Sequence, residues 1–131
     1  ELLKINVKIN ELENVTILNV VAWDSVCKLT FYKGDSSGHG SVKGNQQFGK
    51  CILDARPLDI LLEGEKVDWV KIDVEGAEYE VLKGLSKTLK NNRSKLIVEV
   101  FPQNREKVFE LMKEFGYRWE AISECNYFFY N

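Results

Sequence analysis

The sequence predicts an α/β protein with a mostly parallel sheet that ends in an antiparallel hairpin. Residues 67–74 (VDWVKIDV) form an apolar, β-branched run, which is typical of a strand covered on both faces. Directly after it, apolar residues recur at helical spacing over residues 77–89. A buried strand that leads into a helix within a few residues begins a parallel βα unit, so we expect this unit to organise the fold.

The first part of the chain supplies a helix, two strands and a long loop. Leu and Ile at helical spacing predict a helix over residues 1–10. The apolar run 15–23 (VTILNVVAW) predicts a buried parallel strand, and the alternation in residues 28–32 predicts an exposed one. Residues 33–49 contain five glycines, three serines and no apolar periodicity. They predict a loop whose length suits a lid or a mobile segment.

The middle of the chain predicts a short strand and two helices. A strand over residues 51–55 precedes a small helix over residues 58–62, because Pro57 suits a first helical turn. The organising strand then leads into a helix over residues 76–91. Gly84 lies inside that helix, where it costs about 1 kcal/mol relative to Ala unless another backbone packs close to it.

The last part of the chain predicts a strand, a helix and the hairpin. Residues 95–101 (KLIVEVF) are apolar enough for a buried strand. Asn104 is a suitable cap for the next helix, and Gly116 ends it. Strands over residues 117–122 and 127–130 are joined so closely that they must pair antiparallel.

Composition limits the function classes. A chain of 131 residues predicts a single domain over residues 1–131, and its formal charge of −2 with scattered cations favours neither nucleic acid nor an anionic membrane. No apolar stretch approaches the ~20 residues of a membrane span. The three cysteines are far apart and odd in number, which predicts reduced thiols in a cytoplasmic protein, and a single histidine makes a zinc site improbable. The chain opens inside a helical pattern without Met, so we expect a fragment.

Acidic residues at the ends of two predicted strands are the main candidates for chemistry. Asp73 and Glu99 end neighbouring strands and, with Glu75, would face one crevice if the strands are parallel. There they suit either a general base or a divalent cation, with Asp73 as the candidate metal ligand. Structural explanations remain open: Asp73 could pair with Lys71 or cap the next helix, and Glu75 and Glu78 could serve only the helix dipole.

His39 and the aromatic residues are weaker candidates. His39 lies in the Gly/Ser loop, where a histidine is more often solvated than catalytic, although its ordinary pKa suits proton transfer near neutral pH. The residues around it do not form a phosphate-binding loop, because no strand immediately precedes them and no helix opens after them. The tryptophans and the cluster at residues 127–130 indicate packing on the sheet rather than base stacking.

The central segment resembles the FkbM family of S-adenosylmethionine-dependent methyltransferases. That family's most recognisable segment is K-I-D-V-E-G-A-E followed by V-L-K-G, and both are present at residues 71–78 and 81–84. Weaker similarities extend over nearly the whole chain, at residues 3–14, 20–22, 58–59, 97–100 and 115–117.

This resemblance implies a truncated class I methyltransferase fold, which is Rossmann-like, and transfer of a methyl group from S-adenosylmethionine to a hydroxyl of a sugar or small metabolite. By the same analogy, Asp73, Glu75 and Glu99 would line the acceptor side. Trp23, Asp24 and Ser25 would lie near the adenine of the cofactor.

The family's cofactor half, with its first strand, glycine-rich turn and ribose-binding acid, is not found in these residues. We therefore expect this chain alone to bind S-adenosylmethionine weakly or not at all. We also expect strand 15–22 to pair with strand 68–74, to find a partner chain, or to leave sheet edges exposed, through which a homo-oligomer could form. The alternative to an enzyme is a non-catalytic relative that acts as a binding or assembly module.

Overall fold

A computed structural model of the protein describes residues 1–34, 40–43 and 48–131. Helices and strands alternate along most of the chain, as the sequence predicts. The helices are α1 (Leu2–Ile9), α2 (Leu58–Leu61), α3 (Glu78–Lys83), α4 (Ser86–Asn92) and α5 (Arg105–Glu114), with a 3-10 turn at Pro102–Asn104. The strands are β1 (Val21–Ala22), β2 (Cys27–Tyr32), β3 (Lys50–Arg56), β4 (Trp69–Ile72), β5 (Lys95–Glu99), β6 (Arg118–Ala121) and β7 (Asn126–Tyr130).

The strands form two mixed sheets instead of one. The smaller sheet has the order β1-β3-β2, and the larger has the order β4-β5-β7-β6. Within the described ranges, only β1–β3 and β4–β5 pair in parallel, whereas β2–β3, β5–β7 and β6–β7 are antiparallel. The α/β class and the antiparallel C-terminal hairpin are confirmed. The expectation of a mostly parallel sheet is not confirmed. Strand β3 pairs antiparallel with β2, and β7, which lies between β5 and β6, pairs antiparallel with both.

The hydrophobic core lies between the larger sheet and its helices. Leu96 and Val98 of β5 pair with Phe129 and Tyr127 of β7, so these four side chains share one face of the sheet. The face is covered by fully buried side chains of α3, α4 and α5, among which are Leu82, Leu89, Val108 and Met112. Phe109 of α5 stacks on Trp119 with ring centroids 4.8 Å apart. This packing agrees with the sequence-based interpretation of the C-terminal aromatics.

Residues 15–20 correct the prediction of a long buried strand. Only Val21–Ala22 of the apolar run 15–23 forms a strand, and Val15 and Leu18 are exposed by 42% and 50%. An apolar composition favours burial, but a strand also needs a neighbouring backbone with which to form its hydrogen bonds. Among the described residues, only Ala55 and Arg56 of β3 pair with this run. Strand β1 does not pair with β4, which remains at an edge of its sheet.

The predicted helix over residues 76–91 is divided at Gly84 and Leu85 into α3 and α4. The backbone of Trp23 approaches Gly84 so closely that a β-carbon there would overlap the Trp23 carbonyl oxygen. A second backbone therefore packs close to Gly84, which is the condition that the sequence analysis set for a glycine at this position of a helix.

Helix α1 forms as predicted, but none of its residues is buried. Among the described residues, no helix is both long enough and apolar enough to cross a membrane. The three cysteines are free thiols.

Candidate functional site

The register of β4 and β5 brings the first two predicted acids together. The strands run parallel, and their last pairs are Lys71 with Ile97 and Ile72 with Val98. The residues that continue this register are Asp73, directly after β4, and Glu99, the last residue of β5. Both carboxylates therefore leave the same end of the sheet, as the sequence predicts.

A left-handed turn after β4 adds the third acid. Glu75 has φ +52° and Gly76 has φ +99°, and the two residues form a turn before α3 begins. The positive φ of Glu75 is unfavourable for a residue with a side chain, and such residues are common at functional sites. One carboxylate oxygen from each of Asp73, Glu75 and Glu99 lies within 4.8 Å of the others. We call these three residues the acid cluster.

The carboxylates of the acid cluster influence one another. The pKa of Glu99 is raised above its ordinary value, chiefly because its carboxyl group shares a hydrogen bond with Asp73. Partial burial and the negative charges of Asp73 and Glu75 act in the same direction, whereas Lys71 opposes them. A carboxyl group with a raised pKa holds its proton more readily, and neighbouring acids of this kind are suited to proton transfer.

Lys71 forms an ion pair with one residue of the acid cluster. Its Nζ lies 3.4 Å from Oδ2 of Asp73, and both side chains are about half exposed. The Lys–Asp pairing that the sequence left open is therefore present. The other structural explanation, that Asp73 caps the next helix, is not confirmed, because no side chain forms a capping hydrogen bond at the N-terminus of α3. An exposed ion pair of this kind contributes little stability, so it does not by itself explain the acid cluster.

Three buried polar residues around the turn were not identified from the sequence as site residues. Glu78, interpreted as a helix-dipole residue, is fully buried and accepts a hydrogen bond of 2.6 Å from the Gly76 N–H. Asn104, predicted to cap α5, instead donates from its side chain to the Gly76 carbonyl at 2.9 Å and to Glu78. Ser41 donates its hydroxyl hydrogen bond to the Glu75 carbonyl at 2.7 Å.

Only Glu78 had a sequence signal for such a role. It belongs to the acidic segment directly after the organising strand, so its place near the turn could be read from the sequence. Ser41 and Asn104 lie 34 and 28 residues along the chain from the groups that they contact. No local pattern reveals a contact over that separation.

The predicted cofactor residues lie at the end of β1, beside the junction of α3 and α4. Asp24 Oδ2 lies 3.0 Å from Lys83 Nζ, and Asp24 Oδ1 accepts a hydrogen bond of 3.1 Å from Ser25. The hydrogen bond from Lys83 is the main reason why the pKa of Asp24 is lowered. No hydrogen bond or ion pair within the described part of the chain joins Trp23, Asp24 or Ser25 to the acid cluster.

His39 lies outside the described residues, so its proposed role stays a prediction. A cavity of about 450 Å³ between α2 and α4 is lined by residues such as Asp59 and Thr88 and does not involve the acid cluster.

Comparison with known proteins identifies the family. The sequence pattern of the family described as Methyltransferase FkbM domain matches residues 1–129. The crystal structure of methyltransferase FkbM from Methylobacillus flagellatus KT superimposes with a TM-score of 0.65 at 14% sequence identity, which supports the fold. The match covers 99% of this chain and 32% of that one, so this chain spans about a third of its length. No curated protein matches in sequence. The agreement over nearly all of its residues shows that this chain belongs to the FkbM methyltransferase domain family.

Proposed function

We propose that this chain is the C-terminal part of an S-adenosylmethionine-dependent O-methyltransferase whose acceptor is a hydroxyl group of a sugar or small metabolite. The observation that carries the proposal is the meeting of Asp73, Glu75 and Glu99 at the carboxyl ends of two parallel strands. Acceptors and cofactors of open α/β sheets bind at that edge. Membership of the FkbM family supports the reaction class.

In our proposal Trp23, Asp24 and Ser25 lie beside the adenine of the cofactor. Asp24 uses one carboxylate oxygen for Lys83 and the other for Ser25. An ionised carboxylate has about four acceptor positions, so Asp24 retains capacity for an N–H donor such as the adenine amine. S-adenosylmethionine, when bound, supplies a methyl group on a positively charged sulfur that leaves as a neutral thioether. Trp23, which is half-buried beside Asp24, offers an apolar surface at the same place.

The acid cluster would act on the acceptor. In our proposal Asp73 accepts the proton of the attacking hydroxyl while the new oxygen–carbon bond forms, and Glu75 and Glu99 hold the acceptor by hydrogen bonds. Alignment of the acceptor with the methyl group would provide most of the acceleration, since positioning alone is capable of contributing ~7 kcal/mol or more. His39 is retained as a second candidate for proton transfer.

A divalent cation is an alternative to the general base. Oxygen atoms within 4.8 Å of one another are close enough to coordinate one Ca²⁺ ion, which binds oxygen at about 2.3–2.6 Å, whereas Mg²⁺, which binds at about 2.0–2.1 Å, needs them within about 4.2 Å. In that case Asp73, Glu75 and Glu99 would hold the ion, which would acidify the hydroxyl.

The free thiols are consistent with our expectation that the reaction takes place in the cytoplasm.

The test measures methyl transfer from S-adenosylmethionine by the complete encoded protein, with a panel of sugars and hydroxylated metabolites as acceptors. Removal of the carboxylate in Asp73→Asn should lower kcat by about 10²–10⁴-fold with little change in cofactor affinity, as is usual for loss of a general base. The matched control is Asp68→Asn, at the other end of the same strand, where the carboxylate is exposed and pairs with Lys66 at 3.2 Å.

Three results would contradict the proposal or change its mechanism. Unchanged turnover in Asp73→Asn would remove this residue from the mechanism. Failure of the encoded protein to bind S-adenosylmethionine in calorimetry would favour the non-catalytic module. Loss of activity on treatment with a chelator, restored by Mg²⁺ or Ca²⁺, would replace the base by the cation.

A further inference from the structure

The turn that carries Glu75 is held from three sides by buried polar side chains. Ser41 contacts the Glu75 carbonyl, Glu78 contacts the Gly76 N–H, and Asn104 contacts the Gly76 carbonyl. All three side chains are at least 93% buried, with exposures of 7%, 0% and 4% in that order. We propose that Ser41 is a positioning residue that, together with Glu78 and Asn104, holds Glu75 in its left-handed conformation and so fixes its carboxylate in the acid cluster. The consequence for catalysis rests on the function proposed above.

Ser41 is itself fixed on the smaller sheet. Its backbone forms a two-way bridge with Tyr32 at the end of β2, with N···O distances of 2.9 and 3.0 Å. Its hydroxyl oxygen also accepts a hydrogen bond of 3.0 Å from the Lys43 N–H. The hydroxyl group therefore donates to the turn and accepts from its own loop, which leaves it a single orientation.

A second contact fixes the same loop segment to the helix that follows the turn. Lys43 Nζ lies 3.0 Å from both carboxylate oxygens of Glu80 on α3. Segment 40–43 is thus attached to the Glu75 turn at one residue and to α3 at another. The position of segment 40–43 and the position of Glu75 therefore depend on each other.

The turn needs such support because its backbone is intrinsically unfavourable. A glutamate with φ +52° is in a region that residues with a β-carbon rarely occupy. A residue in this conformation persists only where its surroundings impose it. Without the Ser41 hydroxyl, the hydrogen bond from the Gly76 N–H to Glu78 is the one side-chain contact described for the peptide between Glu75 and Gly76. Rotation of that peptide, which breaks this bond and turns the Glu75 side chain away from Asp73 and Glu99, should then become more frequent.

Amide hydrogen exchange of Gly76, measured by NMR, tests the proposal without any assay of activity. In Ser41→Ala the exchange of the Gly76 N–H should become about tenfold faster, the factor that corresponds to loss of one hydrogen bond. Amides of the central strand β5 should keep their rates. Glycine adopts a positive φ freely, so adding Glu75→Gly to Ser41→Ala should return the Gly76 exchange toward the original rate.

The matched control is Ser94→Ala. Ser94 is also buried and donates its hydroxyl to a backbone carbonyl, that of Val67, at 2.6 Å. Its removal should leave the exchange of Gly76 unchanged. The proposal is overturned if Ser41→Ala leaves Gly76 exchange unchanged, if Ser94→Ala accelerates it equally, or if the double variant exchanges as fast as Ser41→Ala alone.

Turnover supplies the second readout. In the encoded enzyme, Ser41→Ala should lower kcat about tenfold at unchanged KM for S-adenosylmethionine, and Ser94→Ala should change neither. Unchanged kcat alongside accelerated Gly76 exchange would overturn the link between the turn and catalysis. If the protein transfers no methyl group at all, the proposed function fails, whereas the exchange experiment still decides whether Ser41 holds Glu75.

Discussion

The carbonyl oxygen of Trp23 occupies the space that a β-carbon at Gly84 would need. The carbonyl carbon of Trp23 would lie only 2.9 Å from that β-carbon, and the α-carbon of Pro57 would lie 3.3 Å from it. The Trp23 and Pro57 atoms belong to the backbone, so they cannot move away by a change of side-chain rotamer. The contact joins the end of β1, which carries the predicted cofactor residues, to the junction of α3 and α4.

Gly84→Ala should therefore destabilise the protein by about 2 kcal/mol or more, although alanine favours helices, because the overlap forces two backbones apart. Urea denaturation measures the change. Gly64→Ala is the control: Gly64 has φ +81° and no atom within 4 Å of an added β-carbon, so only its conformational cost of about 1 kcal/mol applies. Equal losses in the two variants would contradict the close approach of Trp23.

Asp59 caps a helix to which it does not belong. Its carboxylate accepts hydrogen bonds from the N–H groups of Lys87 and Thr88 at 2.9 and 2.8 Å and from the Thr88 hydroxyl at 2.8 Å. Asp59→Ala should lower the free energy of unfolding by about 1–2 kcal/mol, the usual effect of losing an N-terminal cap. Thermal or urea denaturation measures it.

Asp68→Ala is the matched control for Asp59, since its carboxylate is exposed and its partner is Lys66. That change should stay within about 0.5 kcal/mol. If the two variants lose the same stability, Asp59 does not hold the start of α4.

The pH dependence of stability should differ in sign between Glu99 and Asp24. The pKa of Glu99 is raised by Asp73, so its contribution is fully present below its unfolded pKa and is lost as the pH rises through the raised value. Glu99→Gln keeps an N–H donor for Asp73 but carries no charge. Relative to the wild type, it should therefore become more stable as the pH rises from 4 to 7.

Asp24 has a lowered pKa, mainly through Lys83, so its contribution is present above its unfolded pKa and is lost as the pH falls. Asp24→Asn should be less stable than the wild type at pH 7, and the difference should shrink as the pH falls through the lowered pKa. Urea denaturation at several pH values measures both variants. A Glu99→Gln difference that does not vary with pH, or that varies in the same direction as that of Asp24→Asn, would contradict the shared hydrogen bond with Asp73.

Local patterns were sufficient for most of the fold. The apolar runs and helical stripes located α1, β2 to β5, α5 and the C-terminal hairpin to within a few residues. They fail at residues 15–20, where the apolar composition predicts a strand but strand formation depends on pairing with a neighbour distant in sequence. Local patterns also do not predict the division into two sheets, because that division depends on which strand edges pair.

The meeting of Asp73 and Glu99 could be predicted from the sequence, because neighbouring parallel strands end at the same edge of a sheet and the apolar runs indicate where each strand ends. The contacts that hold Glu75 beside them depend on tertiary packing. Ser41 reaches its carbonyl from 34 residues away, and Asn104 reaches Gly76 from 28. Hydrogen bonds between side chains and distant backbone groups follow from how elements pack, and no local periodicity encodes them.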